Sequence, residues 1–218
     1  MNKSFQLFLL LALGAAASAA PHPFENEIAA FEAADKTSPP PQRAILFIGS
    51  SSIRKWTTLA QDFPGLKVIN RGFGGSHLSD SIYYFDRIVT PYKPKMIVLY
   101  AGSNDIDAGK TPETVVDDCE TFVRKVEAAL PGTRIAYISI NTSPLRWREV
   151  EQVKQATRQI AAFMAKKENR VFIDTFPGML DSGGKPRPEL YVWDRLHMNS
   201  KGYAIWTSII APYLAKAD

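Results

Sequence analysis

The sequence is short of several things, and each shortage closes off a class of protein. It holds one cysteine, Cys119, so no intramolecular disulfide framework is available. Cys119 falls inside a helical pattern, the setting of a buried structural thiol. The three histidines, His22, His77 and His197, make a poor zinc set, and neither a metal nor an organic cofactor is implied. The formal charge of +4 is small and evenly spread, with no Lys/Arg run longer than two, which leaves no basic stripe for nucleic acid. There is no internal repeat, and no second long apolar run follows residue 20.

What is present begins with an address. Lys3 gives a positive start, residues 5–17 are nearly all apolar or small, and Ala17-Ser18-Ala19 is a small-x-small cleavage site. This is the pattern of a secretory signal peptide over residues 1–19, and its apolar stretch is short for a transmembrane helix. The expected product is secreted or periplasmic, with no membrane attachment after cleavage. The 218 residues, 45% hydrophobic and 22% charged, fit one globular domain with a sizeable core. Residues 20–43 read as an N-terminal arm with a short helix over 25–34, stopped by Pro39-Pro40-Pro41. The domain proper is residues 44–218.

Within that domain strands alternate with helices. Apolar runs predict strands over residues 44–48, 66–69, 96–100, 134–140 and 171–174. Helical spacing predicts a helix or turn over 53–59 and helices over 79–89, 112–130, 149–167 and 200–214. Thr111 is placed to cap the third of these, with Pro112 at its first position. Five such units imply an α/β fold with a parallel sheet covered on both faces. Residues 175–196 form a long non-regular stretch, of the kind that often carries function.

Each chemically interesting stretch falls just after a strand or just before the last helix. The first strand runs into Gly49-Ser50-Ser51-Ser52, the second into Asn70-Arg71-Gly72-Phe73-Gly74-Gly75, and the third into Gly102-Ser103-Asn104-Asp105. The strands therefore deliver Ser51, Gly74 or Gly75, and Asn104 to one sheet edge, where open α/β sheets bind ligands. A serine hydroxyl needs a base, and His197 follows Asp194 by three residues. At that spacing a carboxylate can accept the imidazole Nδ1–H and leave Nε2 facing a serine. Backbone N–H groups of a glycine and of Ser51, with the Asn104 amide, could meet an oxyanion. Taken singly, each feature has a plainer meaning: serines that cap a helix, glycines that turn a chain, an asparagine bonded to its own backbone.

Together the four blocks, in this order, resemble the SGNH hydrolases, or GDSL-type esterases and lipases, over about residues 44–203. The resemblance implies a flavodoxin-like three-layer sandwich with strand order 2-1-3-4-5. It implies Ser51 as nucleophile, Asp194 and His197 completing the catalytic set, and Ser51, Gly75 and Asn104 forming the oxyanion hole. The family usually has Gly-Asp-Ser where this chain has Gly49-Ser50-Ser51, so the nucleophile rests on register from Gly49, with Ser50 and Ser52 as alternatives. Gly74 is the alternative to Gly75.

The implied function is that of a serine esterase acting on a small-molecule or carbohydrate ester. The long loop is rich in Gly, Pro and polar residues, which does not make a fatty-acid groove, so short, acetyl-like acyl groups are expected. Phe73, Tyr191 and Trp193 are candidates to stack on a sugar. Two other classes compete: a non-catalytic carbohydrate-binding protein on the same fold, and a flavin- or phosphate-binding flavodoxin-like protein. Reaction with a serine-directed organophosphonate separates the first from a live hydrolase, and colour in the purified protein would mark the flavin protein.

Overall fold

The computed structural model describes residues 22–216. The signal peptide expected over residues 1–19 lies outside them. Five strands, β1 (Ile45–Gly49), β2 (Val68–Gly72), β3 (Met96–Tyr100), β4 (Arg134–Ile138) and β5 (Arg170–Ile173), form one sheet. All pairs are parallel and the order is β2-β1-β3-β4-β5. Along β1, β3 and β4 successive residues point to opposite faces, and both faces are covered, so apart from Arg134 at the start of β4 the runs carry no charged residue. Leu46, Ile48, Ile97, Leu99, Ile135 and Tyr137 join one core, while Ile45, Phe47, Met96, Val98, Ala136 and Ile138 join the other.

The helices follow in chain order: α1 (Glu25–Thr37), α2 (Ser51–Arg54), α3 (Leu59–Asp62), α4 (Leu78–Tyr83), α5 (Phe85–Ile88), α6 (Ser103–Asp107), α7 (Pro112–Ala129), α8 (Val150–Met164) and α9 (Ser200–Leu214). Helices α1, α4, α5, α7 and α8 cover the first core, and α2, α3 and α9 the second. Burying each Leu, Ile or Phe of these layers stabilises the fold by about 1.5–3 kcal/mol. Thr111 Oγ1 accepts from the Thr114 N–H at 3.3 Å, capping α7, and Asn199 Oδ1 does the same for α9.

Three features differ from the sequence expectation. The helix expected over 79–89 is two short helices broken at Tyr84 (φ −86°, ψ 6°), whose hydroxyl donates to the Pro23 carbonyl at 2.7 Å. Directly after β3 the chain forms helix α6, where no helix was expected. Residues 175–196 are not structureless: they carry 3-10 turns at Pro177–Met179 and Pro188–Leu190 and a β-bridge from Leu180 to Pro186.

The arm straps onto the domain through ion pairs. Arg87 holds Glu25 and Glu32, each at 2.7 Å, Arg71 pairs with Asp35, and Ile28 is fully buried. Among the described residues no helix is long and apolar enough to cross a membrane.

Candidate active site

The site is built where β1 stops. Gly49 has φ +146°, and a Cβ there would stand 1.9 Å from the Tyr100 carbonyl oxygen, so the close approach of β1 and β3 admits only glycine. The chain then turns into α2 with Ser51 as first residue, whose N–H has no carbonyl one turn back to bond. The turn is held on every side. The Ser50 N–H donates to Tyr100 O (3.2 Å), Tyr203 Oη to Ser52 O (2.9 Å) and Asn70 Nδ2 to Ile53 O (2.7 Å). Asn70 of the second block is thus a structural clamp.

His197 arrives from the segment before α9. Its Nδ1 stands 2.6 Å from Asp194 Oδ2 and its Nε2 3.0 Å from Ser51 Oγ. With Nδ1–H donated to the carboxylate, Nε2 is free to accept the Ser51 hydroxyl proton. Asp194 Oδ1 accepts the Leu196 and His197 N–H groups, each at 2.9 Å. That tight turn holds Arg195 at φ +58°, a left-handed conformation that costs energy for a residue with a Cβ. Bonds from Arg195 N–H to Val192 O (2.9 Å) and from Leu145 N–H to Arg195 O (3.1 Å) fix it. Burial raises the Asp194 pKa, but the hydrogen bonds from the His197 ring and the two amides outweigh it and hold the carboxyl at about 2.

Asn104 sits in the first turn of α6. Its Nδ2 donates to Ser76 O at 3.0 Å, and its Oδ1 accepts from Arg146 Nη1 at 2.9 Å. Arg146, from the loop after β4, also reaches Ser103 Oγ (3.0 Å) and Asp107 Oδ2 (2.9 Å). An arginine only donates, so Oδ1 must face it and the amide N–H₂ must face the other way. Glu149 packs beside Asp107; burial first, and then the Asp107 carboxylate, push its carboxyl pKa up. The sequence reading missed Arg146. Its one signal was position: a polar loop, residues 141–149, follows β4 at the same sheet edge as the other blocks.

Two cavities open on the Ser51–His197 pair. One is a recess of about 30 Å³, lined among others by Ser50, Ser52, Asn141, Met179, Tyr191 and Trp206. Asn141 Oδ1, Tyr191 Oη and Trp206 Nε1 are buried without a partner among the described residues, and a recess of this size admits water or a small polar group to satisfy them. The other is an open cleft of about 600 Å³, lined by Arg54, Lys55, Thr57, Gly74 and Gly75 with Asn104 and Arg146.

Ser51, Asn104 and His197 line both cavities, Asp194 stands behind His197, and Gly75 and Gly74 both line the cleft. Of the three serines, only Ser51 has its hydroxyl against His197. His22 stacks on Tyr83 and His77 caps α4, so neither serves Ser51. Tyr191 lines the recess; Trp193 is 93% exposed beside Asp194 and lines neither cavity. Phe73 is corrected: it is 0% exposed, packed edge-on against Phe24 and Tyr84 under the arm, and cannot stack on a sugar. Among the described residues no group of three or more His, Cys, Asp or Glu could hold a metal ion.

A family model described as the GDSL-like lipase/acylhydrolase family matches residues 41–205. An acetylxylan esterase of Geobacillus stearothermophilus is 23% identical over 154 residues, 65% of this chain and 68% of that protein. The crystal structure of a GDSL-like lipase from Bacteroides thetaiotaomicron superposes with a TM-score of 0.75 at 20% identity, covering 88% of this chain and 98% of that one. A carbohydrate esterase family 3 structure from Talaromyces cellulolyticus gives a TM-score of 0.63 at 15% identity, covering 79% and 96%.

Proposed function

Since this chain belongs to the GDSL-like lipase/acylhydrolase family and is accordingly a carboxylic ester hydrolase, we propose that it is an exported serine esterase that removes acetyl or similarly short acyl groups from carbohydrate through a covalent acyl-enzyme. The observation that carries this reading is the Asp194–His197–Ser51 relay, with contacts of 2.6 and 3.0 Å, opening on a recess of about 30 Å³.

In this reading Ser51 Oγ attacks the ester carbonyl carbon while its proton passes to His197 Nε2. The carbonyl oxygen becomes an oxyanion, met by the Ser51 and Gly75 N–H groups and by the Asn104 amide. The intermediate collapses, the C–O bond to the alcohol breaks, and the alcohol leaves with the proton from His197. Water then attacks the acyl-enzyme, giving its proton to His197, and the carboxylic acid departs as Ser51 regains its hydrogen. Asp194, ionised because its pKa is held near 2, keeps the imidazole turned to the serine throughout.

The recess supports a short acyl group. A water needs about 10–15 Å³ by this measure, so about 30 Å³ takes a fragment the size of two waters, such as the methyl end of an acetyl group. A longer chain would have to displace Trp206, which is fully buried against Trp56 and Tyr203. The open cleft suits the bulkier alcohol, and exposed Trp193 offers a face for a sugar ring. A relative that acts as an acetylxylan esterase supports the same substrate class. Export rests on residues 1–19 as a signal peptide, leaving residues 20–43 as the arm and 44–218 as the hydrolase domain. The test is kcat/KM on p-nitrophenyl esters from acetate to palmitate. A maximum at acetate is expected; a maximum at eight carbons or longer, or activation at a lipid–water interface, overturns the short-acyl reading.

A further inference from the structure

The charge around the open cleft is one-sided. Its lining carries Arg54, Lys55 and Arg146 and no Asp or Glu. Arg146 is committed to Asn104 and Asp107. Arg54 and Lys55 are exposed, one turn after Ser51, and neither side chain has an ion pair or hydrogen bond among the described residues. The Arg54 guanidinium lies directly over Gly74: a Cβ at that glycine would be 2.8 Å from Arg54 Nη1. The bare glycine therefore lets a planar, five-donor group lie against the loop that also carries Gly75. A guanidinium there matches a carboxylate or phosphate in two-point geometry, and the ammonium of Lys55 adds a point charge on the same side.

We propose that the alcohol part of the substrate bears an anionic group, a carboxylate or a phosphate, which Arg54 and Lys55 hold while the neutral acyl group enters the recess. This rests on the esterase reading and names the substrate class within it: an acylated acidic sugar, such as a uronic acid unit, rather than a neutral one. Neither Arg54 nor Lys55 lines the recess, so the charge belongs to the alcohol and not to the acyl group. A cleft lined by one sign of charge also raises the local concentration of an anionic substrate, an effect that salt screens.

Acetate release is measured on matched pairs. One is an O-acetylated oligogalacturonide and its fully methyl-esterified form; the other is an O-acetylated hexose phosphate and the same sugar without phosphate. The anionic member of at least one pair is expected to have a kcat/KM about tenfold above its neutral partner, the scale of one charge-assisted hydrogen bond. That ratio should fall toward one in 0.5 M NaCl, and should fall at low salt in the double variant Arg54→Gln, Lys55→Gln. Which pair shows the preference identifies carboxylate or phosphate as the source. Equal rates within both pairs, or a preference untouched by salt and by the substitutions, overturn the inference while p-nitrophenyl acetate hydrolysis still upholds the esterase. Failure on p-nitrophenyl acetate as well overturns the esterase reading, and this inference with it.

Discussion

At the scale of single residues the account turns on how side chains are pinned. Asn104 is gripped from both ends, by the Ser76 carbonyl on Nδ2 and by Arg146 on Oδ1, which leaves one N–H without a bond, the one the proposed mechanism gives to the oxyanion. Asn104→Ala should lower kcat for p-nitrophenyl acetate by about 10²–10³-fold with little change in KM. Arg146→Ala should lower kcat in the same manner by about 10- to 100-fold, the worth of one hydrogen bond from a charged donor. Arg146→Lys should not recover it, because one ammonium cannot span Ser103, Asn104 and Asp107. A raised KM with normal kcat in either variant would instead make these residues substrate-positioning groups. The Asp194–His197 pair was legible because its chemistry dictates spacing and because only three histidines compete, whereas Ser51 was picked from three adjacent serines by register against a family pattern. Phe73 was misread because sequence places a residue at a strand end without saying which layer its side chain enters. Arg146 was missed because its position after β4 was the one signal, and its partner Asn104 lies 42 residues away in sequence.

At the scale of elements, buried parallel strands announced themselves as apolar runs, and β3 was read with its observed limits. The second strand was read too early, because it lies at the sheet edge with β1 as its one partner. There Asn70 and Arg71 belong to the strand, satisfied by Ile53 O and by Asp35 and Tyr92. The junction between α7 and β5 yields a pH prediction. Hydrogen bonds from Arg170 outweigh burial, and with Lys167 they hold Glu127 at about 2, against 4.5 for a free carboxyl. A folded pKa below the unfolded value adds stability that is fully present above the unfolded pKa and is lost as pH falls through the folded one. Glu127→Gln should therefore lower the thermal midpoint at pH 6–7, since it leaves Arg170, almost fully buried, without its counter-charge. The gap from wild type should close as pH falls from about 4.5 toward 2. A gap that stays constant over that range would mean packing, and not charge, is what the substitution removes.

At the scale of the whole molecule, alternating strands and helices were enough to imply a covered parallel sheet, while its order, β2-β1-β3-β4-β5, came from the likeness of four short blocks to a family and not from periodicity. That order puts β1 and β3 side by side, which is why Ser51 and Asn104 meet although 53 positions of sequence separate them. The small recess and the open, basic cleft both border Ser51, and in the proposed reading they sort acyl group and alcohol by size and charge. Everything in the functional account passes through the hydroxyl between them. The direct measurement is intact mass and peptide mapping after treatment with a serine-directed organophosphonate, on wild type and on Ser51→Ala. One adduct is expected on wild type, carried by Ser51 and accompanied by loss of p-nitrophenyl acetate hydrolysis, with neither adduct nor turnover in the variant. An adduct on Ser50 or Ser52, or a Ser51→Ala protein that hydrolyses the ester at the wild-type rate, would contradict it.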